Sequence, residues 1–429
     1  MRVFFVLFIA IAMTVQGMAQ QSLIEEFKKD PSRSASNSVV YPEPPHHYTA
    51  PPKGKKPFYL SHYGRHGSRY LTKKKDYDYL TELFGKAKEE GKLTALGEDV
   101  LERVKRIADE AHDQWGDLTQ LGIEQQRDIA HRMVKNFPEI FRSGIHVDAR
   151  STLIPRCVLS MTYALLQLEK DSPKLNITSE ASWHDMYYMN LQDKKLIALA
   201  RSEESMSSYE NYRLRNSHWD RLLLTLFNDT AFVHREINPI EFNYYLFRMA
   251  GSIQNTELSG KVTLYDLYTQ EEIMTNWRID NSWWYLGFGP APQSSGLQPF
   301  TQRNLLRKII EQADSCIALP YPNAQLRFGH DTMVLPLVCL MGINGYDQSI
   351  ADFDSLGVKG WINHYVFPMS CNLQLVFYRK NKKDKDVVIK VLLNENEATL
   401  PIKTDIAPYY HWSDVRDYML RKLASYQEP

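Results

Sequence analysis

Apolar residues in this chain follow two rhythms, and the change from one to the other divides it into kinds of element. Phe58-Tyr59-Leu60-Ser61-His62-Tyr63 is a short aromatic-rich run bounded by Pro57 and Gly64. It predicts a strand feeding the tight loop Gly64-Arg65-His66-Gly67-Ser68-Arg69. Alternation over Ile145 to Ala149 predicts a second strand, which delivers Arg150-Ser151-Thr152 to a helix opened by Pro155. A third, around Ala324 to Phe328, stops at Gly329-His330-Asp331 and the apolar helix Met333 to Met341. Leu175 to Ser179, Ser370 to Phe377 and Val387 to Leu393 also read as strands, the last two joined by a polar turn over Lys380 to Lys385.

Helical spacing governs the rest. Leu80, Leu83, Phe84 and Ala87 mark a helix closing at Gly91; Val100, Val104, Ile107 and Ala111 mark the next. A third carries Ile129, Met133 and Val134 and must end near Pro138. From about Leu168 to Leu319 strand signals thin out. Helical stretches replace them at Arg221 to Asn228, Pro239 to Ile253, Thr263 to Trp277 and Leu305 to Ala313, with a Gly, Pro and Ser-rich loop over Gly289 to Pro299. The tail Trp412 to Leu423 reads as a helix with Ser413 as its cap.

Strands at both ends and helices in the middle predict an α/β protein: a three-layer α/β/α core with a mostly parallel sheet and an inserted, mainly helical cap. The division that follows is a discontinuous core over 57–167 and 320–425, a cap over 168–319, and an extended lead-in over 20–56 that is rich in Pro and Ser and has no core of its own.

Composition narrows the function. Lys+Arg and Asp+Glu are both 51 in 429 residues, so the chain carries no global field towards nucleic acid or a membrane surface, and any pull on an anionic substrate must be local. Residues 1–19 read as a signal peptide: Arg2, an apolar run Val3 to Val15, and small residues at Gly17 and Ala19, with the cut near Ala19. Its removal leaves 50 − 51 = −1. The mature protein is then periplasmic or secreted, with no membrane span. Cys157, Cys316, Cys339 and Cys371 lie in apolar segments that suit buried thiols and disulfides alike. The pair His46-His47 sits in a polar, Pro-rich stretch and is assigned no role.

The chemistry concentrates at the strand ends. Arg65 and Arg69 flank His66, an arrangement suited to gripping phosphate oxygens while a neutral imidazole attacks phosphorus, and Gly67 would let the backbone approach the anion. Arg150, at a second strand end before a helix, is a candidate third guanidinium. His330 would add a phosphate donor. Asp331 is either a helix cap or a general acid, and a metal site is disfavoured because no Cys or carboxylate cluster stands beside the pair. Lys73, Lys74 and Lys75 follow the loop closely enough to form a positive rim for a substrate with several phosphates.

Four ordered motifs carry a family resemblance: Arg65-His66-Gly67-Ser68-Arg69, Gly116-Asp117-Leu118-Thr119, Arg150-Ser151-Thr152 followed by Arg156, and Gly329-His330-Asp331. Together they resemble the histidine acid phosphatases, and Leu392-Leu393-Asn394-Glu395 and Trp412-Ser413-Asp414 look like that family's closing segments. Asn136-Phe137-Pro138-Glu139 and Leu326-Arg327-Phe328-Gly329-His330 look most like the multiple inositol polyphosphate phosphatases. One departure is plain: His330-Asp331-Thr332 stands where those enzymes usually have His-Ala-Glu, and His-Asp is the form of acid phosphatases and phytases.

The resemblance implies a metal-independent phosphomonoesterase without a cofactor, acting on a phosphorylated small molecule, with polyphosphorylated inositols foremost. His66 would be the nucleophile and Asp331 the proton donor, with Arg65, Arg69, Arg150 and His330 holding the phosphate. Alternatives are a broad-specificity acid phosphatase for sugar or nucleotide phosphates, and an exported phosphate-ester binding protein without turnover. No Gly-x-Ser-x-Gly elbow is present to support a serine hydrolase.

Overall fold

The computed structural model describes residues 21–44, 47–190 and 193–429. The leader 1–19 and His46 of the histidine pair lie outside them. One eight-stranded sheet organises the molecule, in the order β3-β2-β4-β1-β5-β6-β7 with β8 also on β6. Its strands are β1 (Lys56–Arg65), β2 (His146–Ser151), β3 (Asn176–Ala181), β4 (Asn323–Gly329), β5 (Asn372–Arg379), β6 (Val388–Leu393), β7 (Asn396–Glu397) and β8 (Tyr409–His411). The strands β3, β2, β4 and β1 run parallel; β5 reverses, and β6 points with β1 again. The six strands expected from the sequence are present, while β7 and β8 are too short to leave a periodic signal.

Register places the chemistry. Arg65 lies opposite Gly329, and Ser151 lies opposite Phe328, so β1, β4 and β2 end level at one edge of the sheet. Loops leaving the carboxyl ends of neighbouring parallel strands form the usual crevice of an open α/β sheet.

Alternation along the central strands splits the core between two faces. Tyr59 and Tyr63 of β1, with Leu375 and Phe377 of β5, meet the helices Arg303–Ala318, Asp331–Met341 and Trp412–Ala424. Leu60 and Val376 point the other way, with Val147 and Leu326, onto the helices Gln120–Asn136 and Pro155–Asp171. These are the three layers.

A separate apolar cluster forms the helical lobe. The helices Lys75–Glu89 and Ala95–Glu110 pack there with Pro239–Ser252 and with Gln270–Phe288, whose aromatic run continues the helix. The lead-in joins the same cluster: residues 21–29 form a helix that buries Leu23 and Phe27, and short 3-10 turns follow at Pro31–Ser34 and Ser36–Ser38. It is more ordered than its polar composition predicts, because its apolar side chains dock on the lobe instead of on one another.

Local chemistry settles one reading left open and departs from expectation at one other point. All four cysteines are free, buried thiols. The last helix takes His411, not Ser413, as its N-cap, since β8 runs straight into Trp412 and leaves Ser413 inside the first turn. Among the described residues no helix is long and apolar enough to cross a membrane.

Candidate active site

The loop after β1 is fixed by its backbone before any side chain acts. The His66 N–H donates to the Gly329 carbonyl at 3.0 Å, and the His66 carbonyl accepts from the Ser370 N–H at 3.1 Å. Gln126 donates to the Arg65 carbonyl at 3.1 Å, Gln125 accepts from the Ser68 N–H at 3.0 Å, and Ser160 accepts from the Gly67 N–H at 3.1 Å. The helix Gln120–Asn136 lies so close that a Cβ on Gly67 would sit 2.3 Å from the Gly122 carbonyl oxygen. Gly67 is therefore required by helix packing, rather than by room for an anion as the sequence reading had it.

His66 is buried, and its Nδ1 lies 2.8 Å from the Gly67 carbonyl oxygen. A carbonyl can only accept, so Nδ1 carries the proton and Nε2 keeps its lone pair. Burial, then the charges of Arg65, Arg156 and Arg69, hold the His66 pKa well below the usual imidazole value. The ring is neutral, with Nε2 as its lone-pair nitrogen.

Three guanidiniums surround it. Arg65 donates through Nη1 to the carbonyls of Asn37 at 2.7 Å and Phe367 at 2.9 Å, and Arg69 donates to the Tyr70 carbonyl at 2.8 Å. Arg156, in the first turn of the helix Pro155–Asp171, is the third. Buried Nε donors of all three have no hydrogen-bond partner among the described residues. Burial and then the mutual repulsion of these cations push the Arg69 pKa down, and burial does the same to Arg156. Buried donors without partners are costly, and three guanidiniums that all act on the His66 ring describe a place for an anion.

His330 and Asp331 follow β4. The His330 ring stands 5.9 Å from the His66 ring, centroid to centroid, with its Nε2 3.2 Å from the Thr152 hydroxyl. Burial first, then the arginines, push its pKa down to about 4, against the pull of Asp331. Asp331 Oδ2 lies 2.9 Å from Arg65 Nη2, off the N–H direction, and accepts from Asn37 Nδ2 at 3.1 Å; Oδ1 accepts from the Thr332 N–H at 2.8 Å. Burial alone would raise its pKa, but Arg65, the Asn37 hydrogen bond and Arg69 outweigh that and hold it below the ordinary carboxylate value. His330 stands at the N-cap position of the helix Asp331–Met341 without a side-chain cap bond, and Asp331 Oδ1 takes the first-turn amide of Thr332 while Oδ2 faces the arginines.

Arg150 is elsewhere. Alternation on β2 buries Ala149 and Ser151 and turns Arg150 to the other face, where it pairs with Asp148 at 3.1 Å, Glu180 at 3.1 Å and Asp185 at 3.4 Å. It borders a groove of about 640 Å³ shared with His146 and Thr178. The third guanidinium of the site is Arg156, six residues on. Sequence reasoning noted Arg156 only within a motif, although Pro155 at the helix start already fixed it in a first turn. It also missed Asn37, for which the sequence carries no signal.

The lysines divide. Lys74 pairs with Asp78 at 3.0 Å; Lys75 pairs with Glu241 at 3.2 Å and lies over the Tyr245 ring. Lys73 is exposed and has no carboxylate partner among the described residues. Its neighbour Thr72 packs beside Gly116, as does the Arg156 guanidinium.

The closing motif braces the site from behind. Asn394 and Glu395 take positive φ angles of 51° and 60° in the two-residue turn from β6 to β7. Glu395, buried, holds Arg132 of the helix Gln120–Asn136 at 2.7 Å, and Asn394 accepts from the Asn372 N–H at 3.0 Å. The turn thereby ties β5 and β6 to the helix that presses on the loop after β1.

Residues 64–394 match the histidine phosphatase superfamily (branch 2). Among solved structures the chain is similar to the multiple inositol polyphosphate phosphatase of Bifidobacterium longum in complex with inositol hexasulfate. That match has a TM-score of 0.75 and 16% identity, covering 90% of this chain and 97% of that one. The phytase of D. castellii matches with a TM-score of 0.72 and 14% identity over 93% of this chain and 86% of that one. No curated protein sequence matches the chain.

Proposed function

The chain belongs to the histidine phosphatase superfamily (branch 2) and is a phosphoric monoester hydrolase; on that premise we propose that it hydrolyses inositol polyphosphates through a phosphohistidine on His66. The observation that carries the mechanism is the fixed tautomer: Nδ1 spent on the Gly67 carbonyl, Nε2 free among three guanidiniums with unpaired donors.

A phosphate dianion entering this space takes the free donors of Arg65, Arg69 and Arg156, with His330 alongside. Nε2 of His66 attacks in line, the P–N bond forms as the P–O bond to the leaving alcohol breaks, and Asp331 gives that oxygen its proton. A water deprotonated by Asp331 then attacks phosphorus and releases His66. Fixed positive charge around the equatorial oxygens supplies most of the acceleration.

The Arg65–Asp331 contact sets the order of events. In the free site Arg65 favours the ionised carboxyl; once the guanidinium is shared with a dianion that bias weakens, and the carboxyl can hold the proton that it must deliver.

Two things support an inositol polyphosphate as substrate: the bound ligand named for the B. longum enzyme, which shares this fold, and Lys73, exposed four residues after Arg69. The His-Asp pair favours a second reading, a broad-specificity acid phosphatase for sugar or nucleotide phosphates. A panel of esters separates them. The first reading expects inositol hexakisphosphate to have the highest kcat/KM; similar values for glycerol 2-phosphate and AMP would favour the second, and tight binding with no phosphate release would point to a non-catalytic binding protein. Export follows from the leader over residues 1–19 and is part of the proposal, as is a division into core and cap; the bounds expected from the sequence, a core over 57–167 and 320–425 and a cap over 168–319, shift because β3 and the helix Arg303–Ala318 belong to the sheet layers and the helices Lys75–Glu89 and Ala95–Glu110 pack in the helical lobe. Amino-terminal sequencing of the secreted protein tests the cut near Ala19.

A further inference from the structure

The amino-terminal strap, residues 31–41, reaches the catalytic carboxyl from outside the matched segment 64–394. Its Asn37 touches both halves of the Arg65–Asp331 pair: the side-chain amide donates to Asp331 Oδ2 at 3.1 Å, and the main-chain carbonyl accepts from Arg65 Nη1 at 2.7 Å. We propose that Asn37 is a positioning residue that aims the Asp331 carboxyl at the leaving oxygen and sets when it is protonated; this rests on the histidine phosphatase reading above.

The strap is built to hold that one side chain in place. Ser36 takes φ +53°, a left-handed conformation that a serine adopts only when its surroundings fix it. Its hydroxyl accepts from Asn363 at 2.8 Å, and the Ser38 carbonyl accepts from Asn255 at 2.7 Å. Asn255 also accepts from the Ser68 hydroxyl of the catalytic loop at 2.7 Å, so the same amide ties strap and loop together. Val39, fully buried, accepts at its carbonyl from the Met369 N–H at 2.7 Å, and a Cβ on Gly251 would lie 2.8 Å from Ala35. The segment is clamped on both sides of Asn37, which leaves its amide little freedom except towards Asp331.

Chemically, an amide N–H favours the ionised carboxyl and fixes which oxygen faces it. The other groups that face Asp331 are Arg65, Arg69 and Arg156, His330, and the thiols Cys157 and Cys371. Among these, Asn37 is the one neutral donor bonded to Oδ2. With Oδ2 held, Asp331 keeps one orientation through both the acid and the base half-reactions.

The test compares wild-type enzyme with Asn37→Leu, which keeps the volume and removes the amide, and with Asn37→Asp, which sets a second carboxylate beside the first. Each is assayed against pH on an alkyl ester, glycerol 2-phosphate, and an aryl ester, p-nitrophenyl phosphate. Asn37→Leu is expected to lose about tenfold in kcat/KM on the alkyl ester and less than about threefold on the aryl ester. The alkaline limb of the alkyl-ester profile is expected to move to higher pH, because the carboxyl has lost a donor to its ionised form; Asn37→Asp should move it further. Equal losses on both esters with an unmoved limb would overturn the proposal and leave Asn37 a packing residue. Trapping of wild-type phosphoenzyme is measured separately, so that its absence would count against the histidine mechanism and not against Asn37 alone.

Discussion

Two arginine sites stand at the carboxyl edge of the sheet, and they are electrical opposites. At one, Arg65, Arg69 and Arg156 have one close carboxylate among the described residues, Asp331, with Asp117 acting more weakly on Arg156, and keep buried donors unpaired. At the other, Arg150 faces three carboxylates and has none to spare. Both follow a strand and precede a helix, and by sequence they look alike. What separates them is the count of counter-charges: a guanidinium already satisfied is structure, and one left unsatisfied in a buried place is a site for an anion.

Predictions can break that contrast, beginning with the largest effect. His66→Ala should lower kcat by on the order of 10⁴-fold at unchanged fold, since burial holds the neighbouring thiols of Cys157 and Cys371 protonated; retention of more than a few per cent of activity would remove the imidazole from the reaction. Arg156→Ala should cost about 10²- to 10³-fold in kcat/KM, the scale of losing one preorganised donor to a developing charge. Arg150→Ala should leave kcat/KM within about twofold and change stability by no more than about 1 kcal/mol. If those two variants behaved alike, the contrast between the sites would fail.

Asp331→Asn sharpens the account at a smaller scale. It should slow an alkyl ester at least tenfold more than an aryl phosphate, whose leaving group needs little help from an acid. The pH profile offers a further check. Because His66 is held well below 6.5, kcat/KM should not decline as pH falls through 6.5; a limb with an apparent pKa there would mean an ordinary, solvated imidazole. Smallest of all, Lys73→Gln should raise KM for inositol hexakisphosphate by about two- to fivefold and leave p-nitrophenyl phosphate unaffected. Lys74→Gln and Lys75→Gln should do less, since both are already paired.

Much of this molecule was legible before its structure, and the exceptions share a cause. Alternation located β2, short apolar runs bounded by turn residues located β1, β3, β4, β5 and β6, and the strand ends carried His66, Asp331, Arg65 and Arg69 into one crevice. Local pattern says which residues sit at a strand end; it does not say which face a side chain takes once charges compete. Arg150 turned outward because Asp148, Glu180 and Asp185 await it there, and Glu180 and Asp185 are about thirty residues away in the chain. Asn37 was illegible for the same reason in stronger form: its partner Asp331 is 294 residues distant, and the polar composition around it predicts only a lead-in. Gly67 was legible as a necessary glycine, but its reason, contact with Gly122, belongs to tertiary packing.

In the proposed reaction one neutral imidazole, held by a carbonyl and surrounded by unsatisfied guanidiniums, forms a bond to phosphorus. Rapid quench of the enzyme with radiolabelled inositol hexakisphosphate, followed by alkaline digestion-compatible peptide mapping, tests it directly. The account predicts an acid-labile, alkali-stable label on the peptide containing His66, present in wild type, accumulating in a variant slowed in hydrolysis, and absent in His66→Ala. Phosphate release at full rate with no such label, or a label on another residue, would contradict it.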